Sequence, residues 1–196
     1  MKNKAEKIFP AMLAFAVISM TVLLLLIGMR GVHALTRALI DLGYLGAFLA
    51  GILGTSSLMI SVFPPQIVAF VMGAPTLGFN PLFVGISMGL GAGIGQYLHY
   101  YVGASGRLLM SEKHRVSIDK WKKRLNRYGP LLIFLFAVTP LTPDDLIWIP
   151  LGMMKYPKLK ALISAIIGKT IMLIICTYGG YYGIALIRKY LIRLGG

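Results

Sequence analysis

The sequence predicts an all-α protein that crosses a membrane several times, and three observations support this fold class. Hydrophobic residues fill 57% of the 196 positions, and the mean hydropathy is +0.78. The apolar residues form several runs of about 20 residues, the length needed to cross a hydrocarbon core. Prolines and small polar residues interrupt two further apolar stretches. We expect one compact membrane domain, because no linker-like segment divides the chain.

Positive charge dominates the ionisable residues. The chain has 20 Lys and Arg against 6 Asp and Glu, a formal net charge of +14. The cations lie mainly at the two ends and between apolar runs, as positive-inside bias and anionic lipid predict, so we expect no nucleic-acid partner. The single cysteine, Cys176, excludes a disulfide within the chain. Scattered histidines and missing catalytic motifs predict no metal site, no cofactor and no enzyme.

The chain begins with a hydrophobic run over residues 9–29, after the polar start MKNKAEK. Its length predicts a first spanning helix or retained signal anchor, with a cleaved signal peptide as the alternative. In the next stretch, RGVHALTRALIDLG, apolar residues recur at helical spacing between Arg30, Arg37 and Asp41. This pattern predicts an amphipathic helix at the membrane interface. We assign residues 1–42 to these two N-terminal helices.

The next apolar stretch is interrupted first by GTSS and then by FPPQ, which contains Pro64 and Pro65. Two prolines in succession break a continuous helix. The run that follows, NPLFVGISMGLGAGIGQYLHYYVG, is long enough to span a membrane. Gly85, Gly89 and Gly93 recur every four residues along it, which predicts a face that another helix approaches closely.

The segment GRLLMSEKHRVSIDKWKKRLNRYG carries eight cations against two acids, the strongest marker of the inner side of the membrane in this chain. Trp121, Leu125 and Tyr128 share one helix face among these cations, which predicts a helix lying on anionic lipid. A calmodulin-target or nucleic-acid-binding helix has a similar pattern, but the apolar runs on either side favour the membrane surface.

The segment AVTPLTPDDLIWIPLG places Asp144 and Asp145 in an apolar stretch that is broken by Pro140 and Pro143. The apolar pieces on either side have nine residues each. As helices they would be roughly 13 to 14 Å long, too short for a hydrocarbon core of about 30 Å. We therefore predict a re-entrant hairpin whose tip reaches the middle of the membrane, where irregular backbone is tolerated only inside protein or beside a cavity.

Two interpretations are open for each carboxylate. With Thr142 as N-cap and Pro143 at the first helical position, Asp144 or Asp145 would cap a helix and meet the positive end of its dipole. One capping carboxylate suffices, so the second indicates a proton or substrate site, since a charge at bilayer depth costs about 2.5 to 3.5 kcal/mol. Lys169, in the middle of the last apolar run, is the candidate partner, with snorkelling to an interface as its alternative.

Three neutral or weakly basic residues complete the predicted proton or substrate site. Gln96 and His99 are three residues apart on the glycine-rich helix and so share a face, although a packing role would also explain them. Gln66 directly follows the first pair of prolines, in the break that corresponds to the segment with the two aspartates.

The two interrupted segments share one plan. In each, a proline break leads into a short apolar piece that ends at Gly73 or Gly152, and a further proline precedes a long apolar run. Broken segments at corresponding places in two halves are typical of transporters built from inverted repeats, with a binding site near the midplane. We assign residues 43–187 to this transport domain and residues 188–196 to a basic C-terminal tail.

The chain resembles the DedA family, also called VTT-domain or SNARE-associated membrane proteins, in four segments that follow one another: VFPPQIVAFVMGAPTLGFNP, GAGIGQYLHYYVGASG, FAVTPLTPDDLIWIPLGMMKYP and SAIIGKTIMLIICTYGGYYG. The resemblance implies two facing re-entrant hairpins that move phospholipids or polyprenyl-phosphate carriers between leaflets, coupled to protons in bacterial members. Those members typically carry an acid in the first hairpin, where this chain has Gln66, and arginines in the second, where it has Ala137 and Pro143. Asp144 and Asp145 are therefore the hairpin acids that remain.

The residues and the resemblance together predict a multi-pass protein of the cell membrane. We expect it to translocate a lipid with a phosphate-bearing headgroup and to need no cofactor. Membrane lipids are the expected partners, and a homo-oligomer is compatible with the sequence. The alternatives are a proton- or ion-coupled transporter of a small solute, and a membrane scaffold that transports nothing.

Overall fold

The structure, a computed structural model, describes residues 28–56, 64–139 and 145–194, together with four single positions nearer the N-terminus. These residues form helices and short connections, and no strand occurs among them. The predicted all-α class is confirmed. The spanning run predicted over residues 9–29 lies outside the described residues except for those four positions and residues 28–29.

Seven α-helices and two short 3-10 turns follow one another through the described ranges. The α-helices are α1 (Gly28–Asp41), α2 (Gly43–Ser56), α3 (Pro65–Met72), α4 (Pro81–Gly106), α5 (Glu112–Val138), α6 (Asp145–Met153) and α7 (Lys158–Leu194), and the turns are Pro75–Leu77 and Arg107–Leu109. Two of them, α4 and the Lys158–Leu186 part of α7, are long and apolar enough to cross a membrane by length and composition. The helix α2 and the Arg127–Val138 part of α5 are apolar but shorter.

Prolines and an asparagine set the starts of two helices. Pro64 has an extended backbone, with φ −64° and ψ 117°, and Pro65 is the first residue of α3. A proline fits there because the N–H that it lacks would have no partner in the first turn. Asn80 caps α4, since its Oδ1 accepts a hydrogen bond of 2.9 Å from the Leu82 N–H. The helix break predicted at FPPQ is therefore present.

The helix α5 differs from the sequence prediction, which divided this region into a basic interfacial helix and a separate nine-residue apolar arm. It is one helix of 27 residues with Pro130 in its interior. An internal proline removes one intrahelical hydrogen bond and crowds the preceding turn, but the apolar second half of α5 packs on α7 and so keeps the helix continuous. The predicted division at Pro130 is wrong. A short helix is present where the second apolar piece predicts one, and its described part is α6, Asp145–Met153.

The centre of the fold is an antiparallel pair, α4 and α7, whose backbones are in contact. A Cβ atom on Gly85 would lie 2.7 Å from the Cα of Ile174. Gly89 and Gly93, four and eight residues after Gly85, contact α7 in the same way. Gly93 lies against Ile166, eight residues before Ile174 in α7, so the two helices run antiparallel. The missing side chains on this face of α4 are what permits the close approach.

A second glycine face of α4 packs against α2, which runs parallel to it. Gly91 lies against the Phe48 carbonyl, and a Cβ atom on Gly95 would lie 2.5 Å from the Ile52 carbonyl oxygen. Gly89 and Gly91 are two residues apart and therefore point to different sides of the helix. One set of glycines on α4 thus contacts α7, and the other set contacts α2.

The two short helices each cross the long helix of the other half of the chain: α3 crosses α7, and α6 crosses α4. Every crossing contains two glycines, one from each helix, that lie directly against the backbone of the partner. The four contacts are Gly73 with Thr177 and Gly180 with Phe70 in the first crossing, and Gly152 with Tyr100 and Gly103 with Ile149 in the second.

Two apolar clusters fill the interior. The first apolar cluster joins α2, α3, the N-terminal half of α4 and the middle of α7, and its buried members include Val68, Met72, Met88, Ala92 and Leu173. The second apolar cluster joins α5, α6, the C-terminal half of α4 and the start of α7, and its buried members include Tyr100, Ile133, Trp148, Tyr156 and Ala165.

We call α2 and α3 the first helix pair, and α5 and α6 the second helix pair. The Asn80 N–H donates a hydrogen bond of 3.1 Å to the Tyr44 hydroxyl, so the start of the first helix pair lies beside the start of α4. Gly129 of α5 lies against the Tyr156 ring, so the apolar part of the second helix pair starts beside α7. Burial there raises the pKa of the Tyr156 phenol. Because α4 and α7 are antiparallel, these two meeting points lie at opposite ends of the fold.

Candidate functional site

A central polar layer separates the two apolar clusters. It consists of five of the buried polar side chains in the described part of the chain, each no more than 6% exposed: Thr55, Ser56, Gln96, His99 and Lys169. Their positions follow from helical spacing, because residues four apart lie above one another on one face of a helix.

On α4 the layer is formed by Gln96 and His99, both fully buried. Gln96 lies one turn after Ala92 of the first apolar cluster and one turn before Tyr100 of the second. His99 Nε2 lies 3.3 Å from the Ser56 carbonyl oxygen, and a proton on this nitrogen makes it the donor. The imidazole thus joins α4 to the last described turn of α2.

On α7 the layer is formed by Lys169, which is 3% exposed. It lies one turn after Ala165 of the second apolar cluster and one turn before Leu173 of the first. The most apolar window of this helix has a mean hydropathy of 2.0. A lysine at the centre of a spanning helix costs about 2.5 to 3.5 kcal/mol on insertion scales, so its burial inside protein argues for a function.

The end of α2 supplies two hydroxyls to the layer. Thr55 Oγ1 is within hydrogen-bond distance of two carbonyl oxygens, Gly51 at 2.8 Å on its own helix and Ala92 at 2.9 Å on α4. Ser56 Oγ donates to the Ile52 carbonyl at 2.5 Å. From the sequence, GTSS is predicted only to interrupt an apolar stretch, so Thr55 and Ser56 are not among the predicted site residues. The available signal was a pair of polar side chains at the end of an apolar helix.

The polar groups of α4 and α7 are displaced along the helix axes. Gly93 lies against Ile166, so in this antiparallel pair Gln96 lies level with position 163, six residues before Lys169. Six residues of helix correspond to roughly 9 Å. Along the helix axes, the Gln96 and Lys169 side chains therefore lie on opposite sides of the close contact at Gly93.

The start of α6 approaches the layer from the second apolar cluster. The Trp148 ring packs edge to face on Tyr97, with 6.1 Å between the ring centroids, and Tyr97 is the neighbour of Gln96 in the chain. Asp145, the first described residue of α6, is one turn before Trp148 in the helix.

The other predicted residues of this segment, Asp144, Pro140 and Pro143, lie outside the described residues, and for Asp145 only the backbone is described. The predicted pairing of Lys169 with one of the two aspartates falls on the same positions. It stays a prediction, as does the predicted capping role of a carboxylate at the start of α6.

The start of α3 carries the remaining predicted residue, Gln66. It is the second residue of the helix and is half-buried, directly after the break formed by Pro64 and Pro65. Val68, two residues later, is a buried member of the first apolar cluster. Gln66 is therefore found in the first turn of a short helix that begins after a proline-containing break, and Asp145 is the first described residue of the other short helix, α6.

Cations surround the outer end of the second apolar cluster. Arg107 Nη1 donates a hydrogen bond of 2.6 Å to the Met153 carbonyl at the end of α6, where a positive charge complements the helix dipole. Lys158 Nζ lies 4.8 Å from the ring centroid of Tyr101, within the range of a cation–π interaction. No group of three His, Cys, Asp or Glu side chains that could hold a metal occurs in the described ranges.

The fold contains two helices that are long and apolar enough to cross a membrane, and close glycine contacts join them. A buried lysine lies on one of them, midway between two apolar clusters. This combination is typical of a helical membrane protein with a polar site in its interior. The sequence model of the VTT domain matches residues 63–182, more than half of the chain. The protein therefore belongs to the VTT-domain family, also called the DedA family, a family of membrane proteins regarded as transporters or flippases. The family resemblance is confirmed. Searches of curated proteins and of solved structures found no match.

Proposed function

We propose that the protein is a multi-pass cell-membrane translocase that moves a lipid with a phosphate-bearing headgroup, a polyprenyl phosphate or a phospholipid, between leaflets. The observation that carries the proposal is Lys169, a cation that is 3% exposed in the middle of an apolar helix of spanning length. A phosphate group offers the counter-charge that such a buried cation requires. Membership of the VTT-domain family supports the same class of function.

The proposed architecture is an inverted repeat in which each helix pair is a re-entrant hairpin. Three relations support it. Each helix pair starts and ends at one end of the fold, at Tyr44 and Asn80 for the first and at Gly129 and Tyr156 for the second. The long helices that follow are antiparallel. Each short helix crosses the long helix of the other half through two glycine contacts of the same kind. Inverted repeats place their substrate site where the broken helices meet.

The proposed substrate site is the central polar layer together with the first turns of α3 and α6. Lys169 would contact the phosphate, and Gln96, His99 and Gln66 would donate further hydrogen bonds. The unsatisfied N–H groups at the start of a helix also attract anions. The hydrocarbon tail would stay in the lipid beside the helices while the headgroup passes through the layer.

Asp144 and Asp145 are the proposed proton carriers, because they are the only acids in either interrupted segment. An ionised aspartate would pair with Lys169 and hold it away from the headgroup. Protonation of the aspartate would remove the negative charge that pairs with Lys169. The Lys169 ammonium group would then bind the phosphate of the lipid headgroup. One proton taken up from one side would thus permit one headgroup to bind.

We propose no enzymatic activity. The two hydroxyls of the polar layer, on Thr55 and Ser56, donate their protons to backbone carbonyls and are held in these bonds. A nucleophilic hydroxyl would instead donate to a general base. The arrangement supports binding and movement of a group rather than covalent chemistry.

Reconstitution in liposomes tests the proposed function. Fluorescent analogues of a phospholipid and of a polyprenyl phosphate would be followed between leaflets, with and without a pH gradient. We expect protein-dependent movement of at least one of them, and a gradient-dependent rate if the aspartates carry protons. Solute or ion flux without lipid movement would instead support a small-solute transporter, and neither activity would support a scaffold.

A matched pair of variants connects the assay to the polar layer. Lys169→Met removes the buried cation, whereas Lys160→Met removes an exposed lysine from the start of the same helix. We expect the first variant to lose lipid movement and the second to keep it. Equal rates for Lys169→Met and the parent protein would overturn the proposed role of the layer.

A further inference from the structure

An apolar groove of about 320 Å³ runs between α5 and α6 on the outer side of the second helix pair. Apolar side chains of both helices line it: Leu125, Leu132, Ile133, Phe136, Ile147, Pro150, Leu151 and Met154. Leu132 and Phe136 are 41% and 37% exposed, whereas Leu151 at its floor is fully buried. The volume falls within the range of roughly 300 to 1,000 Å³ that is usual for ligand pockets.

The groove exists because the two arms of the second helix pair stand apart. In the first helix pair, α2 and α3 are in contact with each other, although α2 packs mainly on α4 and α3 mainly on α7. In the described residues α5 and α6 contact each other less than α2 and α3 do, and each likewise packs mainly on a long helix. The space between them has apolar walls and opens toward the outside of the fold.

The length of the groove matches one leaflet of a membrane. Its wall on α5 extends from Leu125 to Phe136, which is eleven residues and roughly 16 Å of helix. Half of a hydrocarbon core of about 30 Å is roughly 15 Å. An extended acyl chain that crosses one leaflet therefore fits along the whole groove.

Two cations lie near one end of the groove. Arg127 and Lys155, both exposed, lie at the end formed by Leu125 and Met154. The Arg127 guanidinium carbon lies 5.5 Å from the ring centroid of Tyr128, an exposed tyrosine of the type found at membrane interfaces. Residues 125–157 contain no acid other than Asp144 and Asp145.

We propose that this groove is a binding site for an anionic glycerophospholipid. One acyl chain lies between α5 and α6, and the headgroup phosphate contacts Arg127 and Lys155 at the membrane surface. The bound lipid fills the space between the arms and so supports the second helix pair. This site is separate from the central polar layer and does not depend on the proposed transport of lipid through that layer.

Lipid retention measured by native mass spectrometry tests the headgroup part of the proposal. The purified protein would be equilibrated with equal amounts of phosphatidylglycerol and phosphatidylcholine. A cation near an anionic headgroup changes affinity about five-fold, the equivalent of about 1 kcal/mol, so two cations predict a preference for phosphatidylglycerol of up to roughly 25-fold. The double variant Arg127→Gln/Lys155→Gln should bind both lipids equally. Lys160→Gln, at the same end of the fold but outside the groove, should keep the preference.

Tryptophan substitution tests the position of the acyl chain. Leu132→Trp fills the groove, whereas Leu131→Trp places the same ring on the neighbouring exposed position, which does not line the groove. We expect Leu132→Trp to lose both lipids and Leu131→Trp to retain them. Ile147→Trp on the opposite wall replaces the first variant if that protein is not monodisperse.

Two results would overturn the proposal. Equal retention of both lipids by the parent protein would exclude recognition of the headgroup by charge. Parent-like retention of phosphatidylglycerol by the groove-filling variant would place the lipid elsewhere. If lipid transport in liposomes is lost while lipid retention in native mass spectrometry is unchanged, only the proposed role of the central polar layer is affected. Failure of the two proposals can therefore be told apart.

Discussion

In the first helix pair, α2 and α3 pack on each other, and the polar groups in and beside them, Thr55, Ser56 and Gln66, are neutral. In the second, α5 and α6 stand apart around an apolar groove, and the segment between them carries Asp144 and Asp145. The long helices differ in the same way, since α4 contributes a glutamine and a histidine to the polar layer and α7 a lysine.

The contacts that hold the two halves together do not share this difference. Glycine against backbone is used at both crossings of a short helix over a long one. Close packing of this kind fixes geometry and is insensitive to charge. The two halves thus share one scaffold, while the charged residues of the proposed site, Lys169, Asp144 and Asp145, all belong to the second half of the chain.

The largest expected effect is all-or-none and concerns topology. In a chain with Cys176→Ala, cysteines at Leu42 and Thr76 flank the first helix pair, and cysteines at Tyr128 and Lys155 flank the apolar part of the second. Re-entrant hairpins of opposite orientation predict that the first two positions are labelled from one side of the membrane and the last two from the other. An impermeant maleimide on oriented vesicles gives the answer. Labelling of Leu42 and Thr76 from opposite sides would mean that the first helix pair spans.

The next effect tests the chemical asymmetry. If Lys169 pairs with an aspartate, Lys169→Met leaves a buried carboxylate and should cost about 3 to 5 kcal/mol. Gln96→Leu on α4 removes only a neutral group and should cost about 1 to 3 kcal/mol. Thermal unfolding in detergent compares them.

A double-mutant cycle identifies the partner. Combining Lys169→Met with Asp144→Asn or Asp145→Asn should recover stability but not transport for the aspartate that forms the pair. Additive losses of stability with both aspartates would exclude the pair and leave Lys169 bound to another group.

A smaller effect tests the common scaffold. A Cβ atom on Gly180 or Gly103 would overlap a carbonyl of the crossing short helix, whereas the nearest atom to a Cβ on Gly179 is a Phe70 ring carbon at 3.9 Å. Gly180→Ala and Gly103→Ala should each lower stability by about 1 to 3 kcal/mol. Gly179→Ala should be neutral or raise it by up to about 1 kcal/mol. A large loss at only one of the two crossings would show that the halves are not equivalent.

The smallest effect concerns the turns that lead into the long helices. Each contains a left-handed residue, Gly78 with φ 70° in the first half and Lys155 with φ 50° in the second. Gly78→Ala should destabilise by about 1 kcal/mol, whereas Lys155→Gly should relieve a similar strain. Melting temperatures measured without anionic lipid keep this comparison independent of the lipid groove. A lower melting temperature for Lys155→Gly would mean that its side chain matters more than its backbone.

Features that depend on short stretches of sequence could be predicted. The break at Pro64 and Pro65, the presence of the short helix α6 and the spanning length of α4 all follow from local composition. Gln96, His99 and Lys169 were selected because they are polar residues in apolar runs, and all three are buried in the polar layer. A polar side chain in such a run has few positions open to it besides the interior of the protein.

Features that depend on contacts between distant parts of the chain could not be predicted. Pro130 normally signals a helix end, and only packing on α7 explains why α5 continues through it. Glycine spacing predicted a close neighbour for α4, but it did not reveal that Gly89 meets α7 while Gly91 meets α2. The lipid groove arises from the separation of two helices, which no local pattern encodes.

The crossing of α3 over α7 has a consequence for the order of biosynthesis. α3 is too short to insert stably alone, and the helix that it packs on, α7, is synthesised much later than α3. α6 is made long after its own partner, α4. The early half of the chain must therefore wait for α7 before its backbone contacts can form, at elongation rates of roughly 5 to 20 residues per second. A nascent chain that stops before α7 would leave α3 without the helix that it packs on. The exposed α3 would then mark the protein as unfinished for membrane quality control.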